Sequence, residues 1–76
     1  MRSSRVLDDI EQLLTYIEVA EMTRLTVGTL RYLRHEGRGP RSFKLGRQVR
    51  YSRQDVLDWI AAQRDAEEHR FVGGKA

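Results

Sequence analysis

The 76 residues predict a mainly α-helical domain with a small β-hairpin, on three observations. Apolar residues recur at helical spacing in three short stretches, each preceded by a threonine or serine able to cap a helix. Between the second and third stretches lie two segments that alternate apolar and basic residues around a glycine, the pattern of paired strands with one buried face. Positive charge is gathered in one part of the chain. Residues 24–53 hold nine of the fourteen Lys and Arg residues and a single acid, Glu36, so a formal net charge of +3 divides into +8 there and −5 elsewhere.

The first fourteen residues place Val6, Leu7, Ile10, Leu13 and Leu14 near a 3.6-residue period, with acids between them; a short helix or a partly ordered arm fits equally well. Thr15-Tyr16-Ile17-Glu18 matches a capping box, in which hydroxyl and carboxylate satisfy free amides at a helix start. The helix it opens runs to about Thr23-Arg24, with Ile17, Ala20 and Met22 expected inward. Leu25 plugs the turn. Thr26 caps a second helix from Val27 to about Glu36, with Leu30 and Leu33 on its core side. Gly37 stops that helix, and Gly39-Pro40 prevents its continuation.

The hairpin comprises Phe43-Lys44-Leu45, a turn at Gly46-Arg47-Gln48, and Val49-Arg50-Tyr51. A two-residue turn pairs Leu45 with Gln48 and mixes the faces. A three-residue loop pairs Leu45 with Val49 and Phe43 with Tyr51, gathering all four apolar side chains on one face, and is the register expected here. Lys44 and Arg50 then project together to solvent, with Arg47 at the tip. Ser52-Arg53-Gln54-Asp55 resembles another capping box, opening a third helix with Val56, Leu57, Trp59 and Ile60 inward that reaches about Asp65, beyond which Glu67-Glu68-His69-Arg70 extend it or fray. The expected organisation is an N-terminal extension over 1–12, a domain over 13–65, and a frayed helix end with a flexible tail over 66–76. Short helix, tight turn, second helix, basic hairpin and capped third helix together make a winged helix-turn-helix.

Composition narrows the function. One small domain has too little core for both a scaffold and a deep catalytic cleft. With no cysteine, neither a disulfide framework nor a thiolate zinc site can form. His35 and His69 are too far apart in sequence to make a metal site by themselves, and no metal or cofactor is expected. No apolar run approaches the roughly 20 residues that cross a bilayer, and the basic start leads into acids instead of a secretory apolar stretch. An intracellular, cytoplasmic protein is expected. Tyr16, Tyr32 and Tyr51 lack the Arg and His cluster that a recombinase nucleophile needs, so an enzyme is not expected.

The residues also resemble a known family. Leu13-Leu14-Thr15 through Ala20-Glu21, Leu25-Thr26, Leu30-Arg31-Tyr32-Leu33-Arg34 and Gly37-Arg38-Gly39-Pro40 resemble the excisionase family of small DNA-binding proteins. Phe43-Lys44-Leu45-Gly46-Arg47, Val49-Arg50-Tyr51, Asp55-Val56 and Trp59-Ile60 continue the resemblance, which covers roughly residues 13–64. The same stretch is similar to the DNA-binding heads of MerR-type regulators and to AlpA-like phage regulators. The chain departs from the commoner pattern at Val27 and Gly28, where polar residues often open the recognition helix. The resemblance implies a protein that binds the attachment region of a phage or integrating element and biases a tyrosine integrase toward excision; some members regulate transcription instead.

The basic segment supplies the candidate contacts. On the second helix Thr26, Val27, Gly28, Arg31 and Tyr32 are candidates for the major groove, since Arg can bond guanine bidentately and other side chains can touch a thymine methyl. Gly28 is costly within a helix, and close approach to DNA or accommodation within the turn would each explain it. Arg34, Arg38 and Arg41 are candidates for phosphates. Lys44, Arg47 and Arg50 form a wing along a backbone or in a minor groove. Solvated helix faces and strand-edge charges are the plainer readings of these cations, but their grouping beside a helix-turn-helix favours double-stranded DNA. Phe43, Tyr51 and Trp59 are read as core. The N-terminal stripe and the acidic C-terminal segment suit contacts with a second copy on DNA or with an integrase; an adaptor role without DNA is the weaker reading.

Overall fold

The computed structural model describes residues 13–74, with side chains up to Arg70. A short strand β1 (Leu13–Leu14) leads into helix α1 (Tyr16–Thr23) and helix α2 (Val27–Glu36). Strands β2 (Phe43–Leu45) and β3 (Gln48–Ser52) follow, and helix α3 (Arg53–Gly74) ends the described chain. The strands form one antiparallel sheet in the order β1-β3-β2. Three helices with this small sheet make a winged helix-turn-helix, as expected.

Local chemistry sets the helix ends. At α1 the Thr15 hydroxyl accepts from Glu18 N–H at 3.1 Å, and the Glu18 carboxylate accepts from Thr15 N–H at 2.9 Å. This capping box satisfies two donors that the first turn would leave free. Helix α1 ends on Arg24 at φ 64°, a left-handed conformation whose N–H donates to Ala20 O at 2.8 Å. Thr26 caps α2 by accepting from Thr29 N–H at 3.0 Å. The stop at Gly37 (φ 71°) is a Schellman motif. Gly37 N–H donates to Arg34 O at 3.1 Å and Arg38 N–H to Leu33 O at 2.9 Å.

Val19, Leu30, Tyr51 and Val56 are fully buried, one from each of α1, α2, β3 and α3. Leu14, Tyr16, Ala20, Met22, Leu25, Val49 and Ile60 pack around them. Burying Val19, Leu30 and Val56 stabilises the fold by about 1.5–3 kcal/mol each. Trp59 reaches across from α3 and donates its indole N–H to Arg38 O at 2.9 Å. The linker between α2 and β2 is thereby tied to α3. Pro40 is buried within it, and a Cβ on Gly39 would sit 3.1 Å from Leu33 Cβ, which explains a glycine there.

Several expectations are corrected. The hairpin has the two-residue turn: Phe43 pairs with Arg50, Lys44 with Val49 and Leu45 with Gln48. Gly46, at φ 67°, supplies the positive first central angle of a type II′ turn, whose twist matches the flanking strands. Opposed residues share a face, so Phe43, Leu45, Gln48 and Arg50 lie on one side and Lys44, Val49 and Tyr51 on the other. Phe43 and Leu45 are therefore 43% and 54% exposed instead of core, and Lys44 and Arg50 do not project together.

On α1 Ala20 and Met22 pack inward as expected, but the fully buried residue is Val19, and Ile17 is 65% exposed. The two lie roughly 200° apart around a helix of 3.6 residues per turn. Leu13 and Leu14 belong to a strand paired with Ser52 and Tyr51, not to a helical stripe. Ser52 completes β3 and makes no capping bond to the Asp55 amide among the described residues. Helix α3 continues past Asp65 to Gly74, so of the extended or frayed end open for Glu67–Arg70 it is the extended one that forms, and the helix runs on into the stretch read as tail. Residues 61–70 are all exposed, with exposed ion pairs Arg64–Glu68 (3.0 Å) and Glu67–Arg70 (3.1 Å) along them. Such pairs at three- and four-residue spacing each add about 0.2–0.5 kcal/mol to a length of helix that no other element among the described residues covers. The expected N-terminal stripe of Val6, Leu7 and Ile10 lies outside the described residues.

Candidate nucleic-acid interface

A groove of about 530 Å³ opens between the starts of α1 and α2 and the hairpin. Thr15, Tyr16 and Ile17 line it from α1, Val27 and Arg31 from α2, and Arg47, Gln48, Val49 and Arg50 from the hairpin. The fold thus brings four of the sequence-predicted residues, Val27, Arg31, Arg47 and Arg50, to one place. Three are arginines, facing apolar walls formed by Tyr16, Ile17, Val27 and Val49. Positive donors over a partly apolar floor suit a sugar-phosphate strand, whose oxygens are anionic and whose deoxyribose faces are not.

Position on α2 divides the recognition candidates. Thr26 spends its hydroxyl on the helix start, accepting from Thr29 N–H and donating to Thr29 Oγ1 at 2.9 Å. Gly28, in the first turn, is exposed, and a Cβ there would meet only Thr26 Oγ1 at 3.9 Å. Packing within the chain does not demand a glycine at that position. Arg31 is exposed, with its guanidinium carbon 5.3 Å from the centre of the Tyr16 ring. Tyr16 in turn meets Tyr51 edge to face, with centroids 5.8 Å apart and planes at 69°. Tyr32 is 54% exposed, and the Arg38 guanidinium lies 5.8 Å over its ring.

The other cations are placed differently. Arg34 is half-buried and donates from Nε to Ser42 Oγ at 2.8 Å, so part of its hydrogen-bonding capacity braces the linker. With Arg41, Gly37, Gly39, Pro40 and Ser42 it lines a second depression of about 400 Å³. Arg50 donates from Nη1 to Val49 O at 2.8 Å and is half-buried. Lys44 is exposed but lines neither groove. Burial pushes the Tyr51 phenol up from 10.0, the Tyr16 phenol adds to the rise, and Arg34 opposes it.

Tyr16, Ile17 and Gln48 belong to the groove although sequence reasoning did not place them there. A signal for the orientation of α1 was present. In a capping box the residue before the cap packs against the fourth helical position; here those are Leu14 and Val19, which turns Ile17 outward.

Among the described residues no cluster of His, Cys, Asp or Glu could hold a metal ion, and no helix is long and apolar enough to cross a membrane. Fold and groove together define a winged helix-turn-helix that binds double-stranded DNA. The chain belongs to the helix-turn-helix domain family, whose model matches residues 13–64. Comparison with curated proteins and with solved structures gives no match.

Proposed function

We propose that this protein binds a specific duplex sequence through α2 and the wing, and acts as an excisionase that directs a tyrosine integrase toward excision of a phage or integrative element. The observation that carries the binding mode is the shared groove of Arg31, Arg47 and Arg50. A helix laid in a major groove beside a basic wing engages base edges and backbone at once. In this reading Arg31 and Tyr32 read bases, Val27 and Gly28 allow close approach, and Arg34, Arg38, Arg41, Lys44, Arg47 and Arg50 position the duplex. The protein acts by binding on bacterial or phage DNA in the cytoplasm, without catalysis of its own.

The excisionase role draws on the resemblance of the Gly37-Arg38-Gly39-Pro40 linker and basic hairpin. The alternative is a small AlpA-like or MerR-like transcriptional regulator, since both would use the same binding mode. Several copies act together on the DNA in either case. One module of this size buries only about 600–1,000 Å² on DNA, which limits the specificity of a single copy.

Binding-site selection with the whole chain tests the mode. Arg31→Ala should relax preference at one base pair at a cost of about 1–3 kcal/mol, whereas Arg47→Ala should weaken all sequences alike. An unchanged preference in Arg31→Ala removes that residue from base reading. Recombination assays with the partner integrase and attachment sites test the role. Stimulated excision with suppressed integration supports the excisionase; altered promoter output with unaffected recombination supports the regulator.

A further inference from the structure

Arg31 makes no ion pair and no hydrogen bond among the described residues; what holds it is the face of the Tyr16 ring, 5.3 Å away. The difference matters chemically. A carboxylate partner would occupy the in-plane N–H edge of the guanidinium, the same edge that bonds guanine O6 and N7. An aromatic ring attracts the cation through its π face and leaves that edge open.

Tyr16 is itself immobilised. It is the first residue of α1, fixed by the Thr15–Glu18 capping box, and its ring meets the fully buried Tyr51 at 69°. A continuous line of contacts therefore runs from the central strand of the sheet, through Tyr16, to a cation on the exposed side of α2. Tyr16 and Arg31 line the same groove.

We propose that Tyr16 is a positioning residue for base recognition: its ring, braced on Tyr51, holds the Arg31 side chain in one orientation before DNA arrives. The proposal rests on the reading of Arg31 as a base contact. A long arginine ordered in advance loses less rotamer freedom on binding, so the benefit appears in specific affinity and not in general attraction to phosphate.

The test compares wild type, Tyr16→Phe, Tyr16→Leu, Arg31→Ala and the Tyr16→Leu/Arg31→Ala double variant by duplex titration and binding-site selection. Tyr16→Met repeats the leucine arm should that variant fail to fold by far-ultraviolet circular dichroism. Tyr16→Phe keeps the ring and should behave as wild type. Tyr16→Leu should weaken the preferred site roughly two- to five-fold, the range expected for an exposed cation–π contact, and relax preference at the same base pair as Arg31→Ala. In the double variant the leucine should add nothing to the arginine loss. The proposal is overturned if Tyr16→Leu weakens every sequence equally, if its effect adds in full to that of Arg31→Ala, or if Tyr16→Phe loses as much as Tyr16→Leu, which would assign the hydroxyl a contact of its own. If Arg31→Ala leaves base preference intact, the reading of Arg31 fails first, and Tyr16 has nothing to position.

Discussion

Arg24 is the one non-glycine residue with positive φ among the described residues, at 64°. A Cβ in the left-handed region crowds the following carbonyl, and glycine is the usual helix stop for that reason. Arg24 is exposed and makes no side-chain bond among the described residues, so nothing visible within the fold requires its side chain. Arg24→Gly should therefore raise stability by about 0.5–1 kcal/mol in denaturant unfolding; a loss would show that this side chain supports the turn. Tyr51 presents the opposite case, a side chain in a good place with one atom in a poor one. Its hydroxyl is buried without a hydrogen-bond partner among the described residues. Leaving such a group unsatisfied costs about 1–3 kcal/mol, and Tyr51→Phe should raise the melting temperature. The same residue sets an alkaline limit. Its folded pKa is raised above the ordinary 10.0, so the unfolded chain loses this proton more readily. Its contribution is complete below pH 10 and is lost as pH rises through the folded value. Tyr51→Phe should flatten that part of the pH–stability profile, and an unchanged alkaline slope would assign it to other groups.

At the scale of elements, the hairpin register is the sharpest test. If Leu45 were core, Leu45→Thr would cost several kcal/mol; on the exposed face shared with Gln48, it should change unfolding free energy by less than about 1 kcal/mol. The same element shows where sequence reading stops. The order of helices, the caps at Thr15 and Thr26 and the stop at Gly37 were legible because each rests on contacts within a few residues. The register was not legible from alternation alone. Both strands read apolar-basic-apolar, so a shift of one residue gives an equally regular pattern with different burial. Turn geometry decided it, through Gly46. The candidate groove was legible in part for a related reason. Helical spacing set Arg31 apart from Leu30 and Leu33, but it did not show that Tyr16 would face the wing. That depends on how α1 rolls on the sheet, which is fixed by Val19 and by the pairing of Leu14 with Tyr51.

For the whole molecule, the division of charge becomes spatial. Nine cations lie between Arg24 and Arg53, and three of them meet in the groove, whereas Asp65, Glu67 and Glu68 sit on the exposed distal length of α3. Duplex affinity should fall steeply with salt, each neutralised phosphate contributing a slope of about −0.9 on logarithmic axes. Arg47→Ala should reduce that slope by about one if Arg47 pairs with a phosphate, and affinity indifferent to salt would contradict the electrostatic mode altogether. If several copies act together, as proposed, the way adjacent sites fill should show it. Titration of a fragment carrying several sites checks this: cooperative filling is expected, and independent filling would leave each copy acting alone.

The tie between Trp59 and Arg38 has an optical consequence. Trp59 is the only tryptophan in the chain, and its indole N–H ends on the backbone of the segment that carries Arg38 and Arg41. Indole emission responds to the polarity and hydrogen bonding around that N–H. The chain therefore carries a built-in fluorophore on the strap between the recognition helix and the wing. Its colour should change when that strap is gripped by a duplex, with no dye attached and no residue replaced.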